Sequence, residues 1–213
     1  MSGRPDGLWR RWTLATAAGE TAGFLIPAVA AVLLPSGAGD GIRTVAFVVA
    51  GGLEGAVLGW AQVRVLREAV PGVSSGAWVT RTALAAAAAW GIGLLPSLFW
   101  DRFSRLPPVV TASLAVAGGL VLLASIGVAQ WSVLRPHLSG SAAWIGWTAL
   151  GWSAGLLVFT LVTTPLWRPG ESGPVIAAIG ALGGALMACT VGAVTGLGLV
   201  RLVHRARAGA AVA

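Results

Sequence analysis

The chain has 213 residues, 56% of them hydrophobic, with a mean hydropathy of +0.84. Only 10% are charged, against about a quarter in a soluble domain, so the polar residues that would cover a water-exposed surface are missing. It holds no Lys, Asn or Tyr and a single Cys, which excludes a lysine Schiff base, N-glycosylation, an internal disulfide and a CxxC site.

The net charge of +7 comes from fourteen Arg. They sit at the ends of apolar runs and not along one basic helix or patch, which argues against nucleic acid and for membrane topology. Six apolar runs reach the ~20 residues that a helix needs to cross the hydrocarbon of a bilayer. They are 13–34, 44–63, 82–100, 109–134, 142–167 and 174–200. Between them lie stretches rich in Pro, Gly, Ser and charge, which are turn compositions. No run alternates as a barrel strand would. A lipid-exposed backbone must bond to itself, so the runs are helices. The expected fold is all-α: a polytopic membrane bundle of six transmembrane helices arranged as three hairpins in one integral membrane domain, 1–213.

The first run follows "WRRWTL", which has the look of an export signal. Its length, Glu20 and the five runs behind it mark it as a transmembrane helix. Thr13, Thr16, Gly23 and Pro27 share a side with Glu20. Pro27 removes one backbone donor, freeing a carbonyl on the turn before it.

The second run carries Glu54 and ends in "GWAQVRVLRE"; the fourth ends in "GVAQWSVLRP". Both read G-x-A-Q-x-x-V-L-R. Gly51, Gly55, Gly59 and Gln62 share a face of the second run, and Gly119, Leu123, Gly127 and Gln130 share one of the fourth. Gly184, Ala188, Gly192 and Thr195 do so in the sixth. The odd-numbered runs open alike at Trp9 and Thr13, Trp78 and Thr82, and Trp144 and Thr148. These matches divide the chain into hairpins of about residues 9–74, 75–140 and 141–207. Small residues at such spacing let helix backbones approach closely in lipid. Gln62 and Gln130 then read as interhelical hydrogen-bonding residues, with a direct ligand role as the alternative.

The pattern resembles a group of multi-pass bacterial membrane proteins, without an assigned activity, that carry G-x-x-Q-W-x-x-L-R at the end of each helical hairpin. Gly127–Arg135 carries it in full, and Gly59–Arg67 carries it with Val63 in place of Trp. The resemblance implies the hairpin architecture and no function.

Arginine distribution predicts orientation. With the N-terminus inside, Arg4, Arg10, Arg11, Arg64, Arg67, Arg81, Arg135, Arg201, Arg205 and Arg207 lie inside. Arg43, Arg102, Arg105 and Arg168 lie outside. This bias places both termini in the cytoplasm of a cell-membrane protein. Nine of the eleven Trp lie near run ends, as an interfacial belt would place them; Trp90 and Trp152 are interior exceptions.

Glu20 and Glu54 fall inside spans, where an acid costs at least ~2.5–3.5 kcal/mol, so each is a candidate for binding or transport. Counting from the run ends puts both in the middle half of the bilayer. The positions aligned with them in the second hairpin are Ala89 and Leu122. The bland alternatives are a protonated Glu20 hydrogen-bonded to a threonine or a backbone carbonyl, and a Glu54 paired with an arginine of another helix end. Two His and one Cys give no metal site, and no cofactor is expected. Asp101 and Arg105 are spaced as an i,i+4 pair.

Three functions fit. The first is a transporter or channel for a proton, an ion or a small solute that uses the intramembrane glutamates with Thr16, Gln62 and Gln130 nearby. The second is a non-catalytic membrane component that assembles with a second copy or another membrane protein. The third is an intramembrane enzyme acting on a lipid or terpenoid through one glutamate as general acid. An enzyme is the least favoured of the three. The lipid bilayer is the common partner of all three.

Overall fold

The computed structural model describes residues 5–35 and 37–210. Arg4, counted above among the inner arginines, lies outside the described residues. All regular elements among the described residues are helices: α1 (Pro5–Leu33), α2 (Asp40–Ala69), α3 (Ser75–Leu98), α4 (Trp100–Phe103), α5 (Pro108–Leu134), α6 (Ala143–Thr163) and α7 (Gly173–Ala210). Six of them, all but the four-residue α4, are long and apolar enough to span a membrane.

Local chemistry sets the ends. Ser74 caps α3 by accepting from the Ala77 amide, and Pro108 opens α5 where a missing N–H costs nothing. Gly72 and Gly140, in the turns after α2 and α5, take positive φ of 93° and 69°, which a residue with a Cβ rarely adopts. The predicted third span runs into Trp100, but α3 stops at Leu98 and α4 makes a separate turn. Arg105 lies beyond the end of α4, and no ion pair joins it to Asp101. The sixth span continues through the basic tail to Ala210, because no Pro interrupts "RLVHRARAGA".

The six long helices form a closed ring. Each packs on the next in chain order, α3 passing to α5, and α7 returns to α1. The packing is uneven along the axis. One buried cluster includes Trp12, Leu66, Trp78, Leu134, Trp144 and Leu199, all from the arginine-rich end. Toward the other end the helices present long exposed apolar faces, such as Val109, Leu114 and Val116 on α5.

Glycines mediate the close approaches. A Cβ on Gly59 would lie 3.1 Å from Val79 Cα, and one on Gly127 would lie 3.0 Å from Ile145 Cα. One on Gly192 would lie 2.7 Å from the Thr13 carbonyl oxygen, and one on Gly55 would lie 2.5 Å from Ala86 Cβ. Gly51 is filled by the Trp90 ring. Two expected packing positions fail: Gly119 and Gly184 meet nothing within 4 Å. Both lie on helix faces that no neighbouring helix covers, and on α7 the adjacent Gly183 makes the contact with Phe159 and Thr163.

The tryptophan belt also needs correction. Trp12, Trp78 and Trp144 are 0%, 0% and 1% exposed, so they form core and not interface. The residue that joins Trp78 and Trp144 is Trp12, one turn beyond the expected Trp9, which is half-buried and donates to the Ala193 carbonyl.

These contacts predict a contrast in stability. Gly192→Leu should cost ~1–3 kcal/mol, because a branched side chain pushes the α1 backbone away. Gly119→Leu should leave thermal unfolding in detergent within error of wild type. Equal melting temperatures for all three proteins would contradict the assigned contacts.

Candidate functional site

The buried polar residues lie in two layers. The first surrounds the tryptophans. Trp12, Trp78 and Trp144 are spaced 66 residues apart, and their ring centroids stand 5.6–6.4 Å from one another in a triangle. Thr16, Thr82 and Thr148 follow each by one turn and are all buried.

Gln62 and Gln130 tie this layer together. Gln62 Nε2 donates to Thr16 Oγ1 at 3.4 Å, and Gln130 Nε2 donates to Thr82 Oγ1 at 3.1 Å. Gln130 Nε2 also donates to Gln62 Oε1 at 3.0 Å, while Trp144 Nε1 donates to Gln130 Oε1 at 3.0 Å. Trp12 Nε1 donates to Thr195 Oγ1 at 2.9 Å. Thr195 stands where a third glutamine would, and it is too short to reach Thr148. The Thr148 hydroxyl accordingly has no partner, nor does the Trp78 indole N–H, whose neighbour Gln62 is engaged with Gln130. Thr16, Gln62 and Gln130 therefore act on each other as interhelical glue.

The second layer lies about 12 Å along the axis, two turns beyond the first on α1 and two turns before Gln62 on α2. Here the six helices enclose a cavity of about 350 Å³. Its walls repeat the 66-residue spacing: Glu20, Ala86 and Trp152 at one position, and Phe24, Trp90 and Leu156 one turn further. From the even-numbered spans come Glu54, Leu122 and Met187. On this register the residue matching Glu20 is Ala86, not Ala89, which follows from Trp12 replacing Trp9. Toward the tryptophan end the lining stops at Leu58 and Ile126, one turn before Gln62 and Gln130. At the other, Phe24 and Leu156 are 39% and 43% exposed, so the chamber opens there.

Glu20 and Glu54 both face this space, 2% and 7% exposed. Their side chains are neighbours across the α1–α2 contact. Gly23 brings α1 close enough for this: a Cβ there would stand 2.9 Å from the Glu54 carbonyl oxygen. Glu54 Oε2 also accepts from Trp90 Nε1 at 2.8 Å. Trp90 is held by a parallel stack on Phe47, with centroids 5.8 Å apart, and by the room Gly51 leaves. No N–H or O–H among the described residues donates to Glu20. No arginine or histidine lines the chamber.

Trp90 and Trp152 are the site residues that sequence reasoning missed. The signal was present, since they were the two tryptophans lying away from run ends.

No protein family, curated protein or solved structure matched the chain.

The broken ring of the first layer yields a test. Thr195→Gln should let the amide reach Thr148 while its oxygen accepts from Trp12, gaining ~0.6–1.7 kcal/mol. Gln130→Leu should strip partners from Trp144 and Gln62 and cost ~1–3 kcal/mol. Thermal unfolding in detergent reads both. A Thr195→Gln protein less stable than wild type would contradict this arrangement.

Proposed function

We propose that the chain is a small multi-pass transporter of the cell membrane in which the Glu20–Glu54 pair takes up and releases a proton as a solute occupies the chamber. One observation carries the reading. Two carboxyl groups that the fold does not need for packing meet in a cavity walled by all six spanning helices. Acids at membrane depth are costly, and side by side they repel when both are ionised, so a proton held between them stabilises the pair. Loss of that proton leaves a charge that only an entering cation can balance.

In this reading both termini are cytoplasmic, which the arginine bias supports. The chamber then opens toward the outside, and the tryptophan triangle is the inner barrier. The three hairpins are copies of one unit, supported by the constant 66-residue offset among the tryptophans, threonines and chamber positions of the odd-numbered spans. Glu20 and Glu54 have Ala86 and Leu122 as counterparts in the second copy, and Trp152 and Met187 in the third. Two acids have thus been placed on a scaffold that does without them elsewhere.

A non-catalytic assembly component is the second reading. It is favoured by the uncovered small-residue faces at Gly118 and Gly119 on α5 and at Gly180 and Gly184 on α7.

Proteoliposomes carrying a pH-sensitive dye separate the two. An imposed pH gradient should collapse faster with the wild-type protein than with empty vesicles. Glu20→Gln and Glu54→Gln, which preserve shape, should each abolish the difference. Wild-type vesicles that leak no faster than empty ones, with or without a small organic solute added, would reject transport and leave the assembly reading. Reporter fusions at both termini should give a cytoplasmic signal, and a periplasmic signal from either would overturn the orientation.

A further inference from the structure

The chamber's chemistry is lopsided. It holds two carboxyl groups, no Arg and no His, and its remaining lining residues are apolar or aromatic. Among the described residues the ion pair is Arg11–Glu68, at the tryptophan end and remote from the chamber. Glu20 is 2% exposed, lines the chamber, and has another carboxyl, that of Glu54, as its polar neighbour there. Two buried acids with no positive group in the chamber lining leave a place for one from outside the chain.

A bare metal ion fits this space poorly. Calcium takes about six to eight oxygen ligands and magnesium holds its own water shell. The chamber offers four carboxylate oxygens, one of them engaged by Trp90, and no three His, Cys, Asp or Glu side chains come together among the described residues. An anion would meet the carboxyl groups and be repelled. A neutral apolar molecule would leave the carboxyl pair without a counter-charge.

A cation with apolar substituents satisfies every wall. Its charge meets Glu20 and Glu54, its substituents contact Leu122, Met187 and Leu156, and the aromatic rings of Phe24 and Trp152 offer cation–π contact in a desolvated setting. The volume of about 350 Å³ lies in the range of small-molecule pockets, ~300–1,000 Å³. The open end at Phe24 gives a route from the apolar half of the bundle. We propose that this chamber binds lipophilic organic cations, such as quaternary ammonium or phosphonium compounds. The proposal rests on the reading of the carboxyl pair as a solute site and names the class of solute.

Tetraphenylphosphonium and tetraphenylborate have nearly the same shape and opposite charge, so together they isolate the role of charge. Each would be titrated calorimetrically into the full chain in nanodiscs of zwitterionic lipid, with empty nanodiscs subtracted. Tetraphenylphosphonium should bind saturably, and tetraphenylborate should not. Glu20→Gln/Glu54→Gln should weaken the cation at least about tenfold. Equal binding of the two ions, no binding of either, or an unchanged cation affinity in the double variant would overturn the proposal. If the variant does not fold, the two-ion comparison on the wild-type protein decides it. Proton leak in vesicles is read separately. A glutamate-dependent leak without phosphonium binding rejects the ligand class and leaves the proton reading standing. Glutamate-dependent binding without a leak supports the ligand class and rejects transport.

Discussion

Three indoles meeting on the axis of the bundle set the rest of the structure. In lipid there is no hydrophobic drive between helices, so association rests on close packing and on hydrogen bonds between buried polar groups. Trp12, Trp78 and Trp144 supply both. Each aromatic pair adds ~0.5–1.5 kcal/mol beyond area burial, and two of the three indole N–H groups reach an acceptor on a neighbouring helix. Because the triangle draws one residue from each odd-numbered span of the ring, it fixes those helices at one end. The even-numbered spans follow through Gln62, Gln130 and Thr195.

Fixing one end leaves the other freer. Beyond the triangle the side chains that point inward are Glu20, Ala86 and Trp152, and they do not fill the space between six helices. The chamber is thus a consequence of three unequal residues at matching positions, and the two acids lie where the space is. The same inequality appears in the polar ring, where Thr195 stands in for a glutamine and Thr148 is left without a partner.

Much of this was legible in the sequence. Hydropathy and turn composition located all six spans, since hydrocarbon thickness dictates their length. The repeated G-x-A-Q-x-x-V-L-R stretches located the glutamines and the glycines at 59 and 127, because helix periodicity puts them on one face. Glu20 and Glu54 stood out by cost alone. What was not legible depended on distances between helices. Composition cannot distinguish a tryptophan at the interface from one on the bundle axis, so Trp12, Trp78 and Trp144 read as belt residues and Trp9 took the place of Trp12. Gly119 and Gly184 have the right spacing for packing. They fail because no neighbouring helix covers their face, although Gly183 beside Gly184 meets α6; which face is covered is a property of the ring and not of either segment.

The account depends on Glu20 and Glu54 facing one another across the α1–α2 contact. A paired-cysteine measurement tests this without reference to any substrate or orientation. In a Cys189→Ser background, Glu20→Cys/Glu54→Cys would be oxidised in the membrane and its free thiols counted by alkylation and intact mass. The account predicts a disulfide, seen as no alkylated thiol before reduction and two after it. Two freely alkylated thiols after oxidation, in a protein that keeps its fold, would contradict it.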